Sequence, residues 1–222
     1  METESDALIE KYLEEVLSMN EKINLTRITE PDEARLLHVE DSLAVLDELN
    51  AAPDGLYGDL GSGGGFPGVP LGIMSGRQTV LVDSVKKKMT AVGEMLNAIG
   101  LSGQISTCDK RIEELACEKP NTFAVLTARA LSSLDSLVEL ASPLLQDHGQ
   151  LICLKAQVDE DEIQRAQDIE ELTGMKLIKK RDFYLSDQET FRTVIVFEKD
   201  HEPSIALPRR VGKAQKQPLK HK

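Results

Sequence analysis

Gly58-Asp59-Leu60-Gly61-Ser62-Gly63-Gly64-Gly65-Phe66-Pro67-Gly68 places an acid two residues ahead of alternating glycines at 61, 63 and 65. Glycine tolerates positive φ and lets backbone N–H groups approach a ligand with no Cβ in the way, so the stretch reads as a tight turn from a strand around a nucleotide-like cofactor. Asp59 suits a cationic or amine-bearing group and would repel a pyrophosphate. The spacing itself discriminates weakly. The dinucleotide frame fails from Gly61, where Phe66 stands in the third glycine's place, and is met from Gly63, Gly65 and Gly68.

The flanks carry more information. Leu56 to Leu60 is a short apolar run before the loop, Pro67 fits a first helical turn, and Thr79-Val80-Leu81-Val82-Asp83 reads as a second buried strand ending in an acid. Together they predict one βαβ unit. Asp83 follows Gly61 at the offset where a carboxylate receives both hydroxyls of an adenosine ribose. NAD and S-adenosylmethionine both carry that ribose, and Asp59 favours the methionine ammonium of the second.

The chain of 222 residues, 41% hydrophobic and 29% charged, fits one soluble structural domain with a sizeable core. Its start is acidic where a secretory signal is basic, and no apolar run approaches the roughly 18 residues that cross a bilayer, so a cytoplasmic protein with no membrane partner is expected. Cys108, Cys117 and Cys153 are odd in number and lack metal-ligand spacing, which predicts free thiols and no metal. The net charge of −12 disfavours non-specific nucleic-acid binding, but it is unevenly spread. From Arg209 to Lys222 there are six basic residues and no acid, leaving 20 basic against 38 acidic residues before them. That tail is either a solvated appendage or an arm that neutralises phosphates.

Periodicity divides the chain into an N-terminal helical appendage (1–50), a main α/β domain (51–200) and the basic tail (201–222). Leu8, Ile9, Tyr12, Leu13, Val16 and Leu17 mark a helix capped by Ser5 or Asp6, and Leu36, Val39, Leu43, Leu46 and Leu49 mark another that begins near Pro31. Helices are expected near 85–99, 132–145 and 159–172. Strands are expected at 104–108, 123–126 and 150–155, followed by a closing pair at 176–184 and 192–198. The alternation predicts a doubly wound, mostly parallel sheet with an antiparallel C-terminal edge strand.

Several local signatures resemble one family with this architecture. The loop ending Gly-Phe-Pro-Gly, Asn24-Leu25-Thr26, the trio His38, Asp41 and Ser42, Asp83-Ser84 with its lysines, Arg111 to Glu114, Arg129-Ala130, Lys155 and Pro208-Arg209 through Pro218-Leu219 are similar to the RsmG (GidB) family. Those proteins are Rossmann-like, S-adenosylmethionine-dependent methyltransferases acting on guanine N7 in bacterial 16S ribosomal RNA. The resemblance spans about Met19 to Leu219. It implies that Gly61 and Phe66 line the cofactor, that Ile112 and Glu113 frame its adenine, and that Arg129 lies beside the methionine end. Gly63, Asp59 and Asp83 complete the expected cofactor set, and the implied partner is 16S ribosomal RNA within a small-subunit particle.

Guanine N7 has a lone pair and no proton, so attack on a sulfonium methyl needs alignment and no general base. No acid–base dyad stands out in the chain. His38, Asp41 and Ser42 contain the residue types of a hydrolytic triad, but spacings of three and four put them on one helix, with no strand-to-helix turn to expose the serine. They are assigned positioning, together with Arg129, and no catalytic residue is assigned. Lys86, Lys87 and Lys88 sit in a helical first turn, where cations oppose the macrodipole; phosphate would relieve that. With Lys179, Lys180, Arg181, Arg209 and Arg210 they form the expected RNA footprint. The alternatives left open are a nicotinamide-dependent oxidoreductase and a non-catalytic ribosome-binding protein with a vestigial cofactor fold.

Overall fold

The structure, a computed structural model, describes residues 3–220; Met1, Glu2, His221 and the tail's Lys222 lie outside the described residues. Seven strands form one sheet in the order β3-β2-β1-β4-β5-β7-β6. They are β1 Tyr57–Leu60, β2 Thr79–Val82, β3 Ile105–Cys108, β4 Phe123–Arg129, β5 Leu145–Lys155, β6 Met175–Tyr184 and β7 Phe191–Lys199. β1 to β5 pair in parallel, whereas β7 runs antiparallel to both β5 and β6. The expected hairpin therefore closes the sheet, with β7 inserted between β5 and the outermost strand. Six of the seven residues of β4 are buried, which is why it reads as an almost unbroken apolar run: a central parallel strand has both faces covered.

The strand order reverses between β1 and β4. Their following connections leave toward opposite sides, and the crevice between them is where open α/β sheets bind ligands. The first is the glycine loop, which leads into α5 (Gly68–Ser75); the second is Ala130 to Ser133, which leads into α8 (Leu134–Ala141). Ala130 leaves β4 with φ of 51°. A non-glycine residue in the left-handed region is strained and belongs at sites where the fold over-determines the backbone.

The N-terminal helices share the core of the sheet. α1 (Glu4–Asn20) starts on a capping box between Thr3 and Asp6, in place of the expected Ser5/Asp6 cap, because Thr3 has extended φ/ψ and its hydroxyl accepts the Asp6 N–H. Ile9, Tyr12, Leu13 and Val16 form the buried face of α1, clustered with Val69 of α5 and Val92 of α6 (Lys86–Ala98). The Tyr12 hydroxyl donates to the Gly64 carbonyl at 2.9 Å, so α1 braces the glycine loop from behind. The helix expected from Pro31 is interrupted. Pro31–Ala34 is α-helical, Arg35–Glu40 widens into a π segment, and short α-helical turns follow at Asp41–Leu43 and Leu46–Ala51. π segments are uncommon and concentrate at functional sites, and this one carries His38. α7 (Ile112–Glu118), α9 (Glu160–Asp168) and a last short turn at Lys213–Lys216 complete the parts used below.

Candidate active site

Gly61, Asp83, Ile112 and Glu113 line one cavity at the carboxyl ends of β1 and β2, together with Leu131 and Gly212. Four of the expected cofactor residues therefore converge. Gly61 has φ of +73°, and a Cβ there would lie 2.6 Å from the Leu131 side chain, so glycine is required both by backbone and by space. Gly63, with φ of +56°, meets only open space, and its N–H donates to Asp83 Oδ2 at 3.0 Å. Asp83 Oδ1 accepts the Val85 N–H at 2.8 Å. Asp83 thus ties the loop to the start of α6 while lining the cavity, with lone pairs left on each oxygen for ribose hydroxyls. The chemistry of this set fits an adenosine: glycine backbone, one carboxylate at each end, and Ile112 as an apolar wall.

Two of the expected cofactor residues lie outside this cavity's lining. Asp59 is fully buried under the loop, where Oδ2 accepts the Gly68 N–H at 2.9 Å and Oδ1 accepts the Thr127 hydroxyl at 2.8 Å. Because the Thr127 proton is used there, Tyr57 must donate to Thr127 Oγ1, at 2.7 Å. Burial pushes the Asp59 carboxyl up to about 6, against the pull of these hydrogen bonds. Asp59 is not among the residues that line the Gly61 cavity. Phe66 does not line the Gly61 cavity either. Its ring lies 4.6 Å from the His38 ring, stacked at 11°, and 5.6 Å from Tyr12.

A second cavity of about 390 Å³ opens on the other side of the Ala130 turn, lined by His38, Asp41, Arg129, Lys155 and Arg192 with apolar Leu37 and Leu154. Arg129 Nη1 donates to the Leu37 carbonyl at 2.8 Å and to Asp41 Oδ2 at 3.0 Å, and Arg192 Nε donates to Asp41 Oδ1 at 2.8 Å. One buried carboxylate therefore fixes two guanidiniums. Lys155 is held by the Ser132 carbonyl and Glu162, each at 2.7 Å. His38 Nε2 pairs with Thr26 Oγ1 at 2.8 Å, while its Nδ1 is buried with no hydrogen-bond partner among the described residues. Burial, helped by Arg129, lowers its pKa to about 4, so the ring is neutral at pH 7. The Ser42 hydroxyl is buried, bonds back to the His38 carbonyl across the π segment and lines neither cavity. Sequence reasoning missed Arg192, whose only signal is a cation among the apolar residues of β7.

With the geometry in place, comparison with known proteins is decisive. The family described as rRNA small subunit methyltransferase G matches residues 5–188. The chain belongs to that family. A ribosomal RNA small subunit methyltransferase G from Streptococcus suis is 35% identical over 94% of this chain and 89% of its own. One of the same name from Carboxydothermus hydrogenoformans is 33% identical over 99% and 94%. Among solved structures, the O-methyltransferase from Bacillus cereus in complex with SAH superimposes with a TM-score of 0.57 at 16% identity, covering 84% of this chain and 90% of that one. A geranyl diphosphate methyltransferase in complex with SAM gives 0.54 at 12% identity over 71% and 84%. The fold is thus the Rossmann-like one of S-adenosylmethionine-dependent methyltransferases.

For an rRNA small subunit methyltransferase G, the disposition of the expected RNA-facing cations is informative. Lys86 and Lys87 are exposed and Lys88 is half-buried, at the first turn of α6, and none of the three forms an ion pair among the described residues. Most of the other expected cations have acidic partners. Lys179 and Arg181 both pair with buried Glu48, and Lys180 pairs with Glu160 at 2.6 Å. Arg209 is held bidentately by buried Glu139, with Nε to Oε1 at 2.6 Å, and is spent inside the fold; Arg210 is exposed. Spacing along a chain cannot reveal that a cation has a buried partner 70 residues away. Cys153, in β5, is fully buried with its thiol pushed up to about 12, which removes it as a nucleophile. Among the described residues no cluster of metal-ligating side chains occurs and no helix is long and apolar enough to cross a membrane.

Proposed function

We propose that the protein transfers a methyl group from S-adenosylmethionine to N7 of a guanine in 16S ribosomal RNA, in the cytoplasm and on a small-subunit particle. The carrying observation is the pair of cavities on either side of the Ala130 turn: an adenosine-shaped set of Gly61, Asp83, Ile112 and Glu113 beside a cationic set of His38, Arg129, Lys155 and Arg192. When bound, S-adenosylmethionine supplies a sulfonium methyl to an in-line nucleophile. Everything else falls to the chain. Asp83 and Glu113 orient the adenosine, and the loop N–H groups turn its far end toward β4.

The second cavity takes the base. A guanine reaches it only when unstacked, and the apolar Leu37 and Leu154 walls offer a surface for its faces. Arg129, Arg192 and Lys155 sit pre-oriented by Asp41, the Leu37 and Ser132 carbonyls and Glu162, so no reorganisation is needed as the base settles. The neutral His38 ring lines the wall, pinned by Thr26 Oγ1 at Nε2 and stacked on Phe66, with its Nδ1 buried and unpaired among the described residues. N7 has no proton to lose, so the step calls for no general base. Alignment of such a pair accounts for roughly 7–11 kcal/mol of barrier.

The test is methylation of small-subunit particles and of naked 16S RNA by the purified protein, read by mass-spectrometric mapping. Methyl transfer to a guanine N7 supports the reading, and modification of another atom or base overturns it. Titration with S-adenosylhomocysteine and with NADH separates it from an oxidoreductase.

A further inference from the structure

The basic C-terminal segment is docked along most of its length. Arg209 is clamped by Glu139 of α8 and returns a hydrogen bond from Nη2 to the Gln217 carbonyl at 2.9 Å, closing the segment on itself. Ala214 is buried, and its carbonyl accepts the Ser136 hydroxyl at 3.0 Å. Leu219 packs against the main core. Between these anchors the segment crosses the mouth of the Gly61 cavity: Gly212 and Gln215 line it, and the Gly212 N–H donates to Glu113 Oε1 at 2.6 Å. Gly212 has φ of +75°, the conformation that points its N–H inward.

We propose that residues 208–219 are a hinged wall of the S-adenosylmethionine site, with Gly212 to Gln215 closing over the adenosine and Glu113 shared between strap and ligand. This rests on the cofactor reading given above. As it stands the cavity holds about 80 Å³, under the roughly 300 Å³ at the small end of ligand pockets, and an outward shift of one wall would make room for a nucleoside. The strap is the wall that can shift. On the cavity side one polar bond, Gly212 to Glu113, holds it, and Val211, Lys213 and Gln215 are exposed around the buried Ala214. Opposite the strap, Gly61 and Asp83 belong to a loop braced by Tyr12, Asp59 and Asp83, and the Lys110–Glu113 segment is tied into the start of α7 by the Arg111 N–H to Glu114 bond. The strap lies beyond residue 188, where the family match ends.

Calorimetric titration of S-adenosylhomocysteine into the full chain, a chain ending at Leu207, and the variants Arg209→Gln and Gln215→Ala tests this. The expected result is affinity at least tenfold weaker in the truncated chain and in Arg209→Gln, a severalfold loss in Gln215→Ala, and hydrogen exchange in peptides spanning 208–219 that slows when ligand is added to the full chain. Should the truncated chain fail to fold, the two point variants and the exchange measurement decide. Unchanged affinity in folded variants, or ligand-independent exchange of the strap, overturns the proposal. Absence of binding to the full chain overturns the cofactor reading itself.

Discussion

Arg129 Nη1 and Asp41 Oδ2 stand 3.0 Å apart although 88 positions separate them, and the other oxygen of Asp41 holds Arg192. Asp41 is almost fully buried, so the two guanidiniums depend on one carboxylate for both neutralisation and direction. Asp41→Ala should destabilise the protein by about 3–5 kcal/mol, the range for removing one member of a buried ion pair. Asp41→Asn keeps the shape and one acceptor oxygen but turns its NH2 toward the other guanidinium; it should fold with a smaller loss yet lower kcat by about 100-fold through misplaced arginines. Urea unfolding and single-turnover methylation of particles measure the two effects. Equal activity of Asp41→Asn and the parent chain would show that the arginines need no alignment.

The glycines at 61 and 63 should behave differently. Both have positive φ, but a Cβ at Gly61 meets Leu131 at 2.6 Å whereas one at Gly63 meets nothing closer than 4.0 Å. Gly63→Ala should therefore cost only about 1 kcal/mol of backbone strain and keep most affinity for S-adenosylhomocysteine. Gly61→Val should lose binding altogether, since Leu131 and the loop cannot both stay in place. Titration of both folded variants checks the contrast, and similar affinities for the two would contradict it.

His38 should leave a pH signature in stability. Its folded pKa, about 4, lies below the roughly 6.5 of an unfolded histidine, so the unfolded chain takes up a proton between those values and the folded chain does not. The stabilising difference is complete above about pH 6.5 and is lost as pH falls toward 4, up to about 3 kcal/mol. Asp59 acts oppositely across much of the same window, because its raised folded pKa of about 6 makes the folded state bind the proton first. Subtracting the stability profile of His38→Asn from that of the parent isolates the histidine. A flat difference between about pH 4 and 7 would mean that the ring is not buried neutral.

Lys86, Lys87 and Lys88 offer the clearest candidate phosphate partners. Replacing all three by glutamine should leave S-adenosylhomocysteine affinity unchanged and reduce the slope of log affinity for particles against log salt by roughly 2 to 3, at about 0.7–0.9 for each phosphate that is no longer neutralised. Filter binding across a salt series reads this. An unaltered slope would move RNA recognition elsewhere on the surface.

The glycine stretch, the acid at 83 and the strand–helix alternation were legible in the sequence because each is local. Positive φ, a buried apolar run and a helix face are set by neighbours within a few positions, so β1, β2, β4 and the loop residues Gly61 and Asp83 could be read from the chain alone, whereas Ile112 and Glu113 came from the family resemblance. Partnership could not. Whether Arg209 meets RNA or Glu139, whether Asp59 meets ligand or Thr127, and whether Phe66 lines the cofactor or stacks on His38 depend on residues 28 to 70 positions away. Nothing in the spacing encodes those separations. Tertiary structure alone decided that the N-terminal helices brace the glycine loop and that the basic tail returns to its mouth. Burying a charge is costly unless an opposite one is brought to it, and which one arrives is settled only when the whole chain packs.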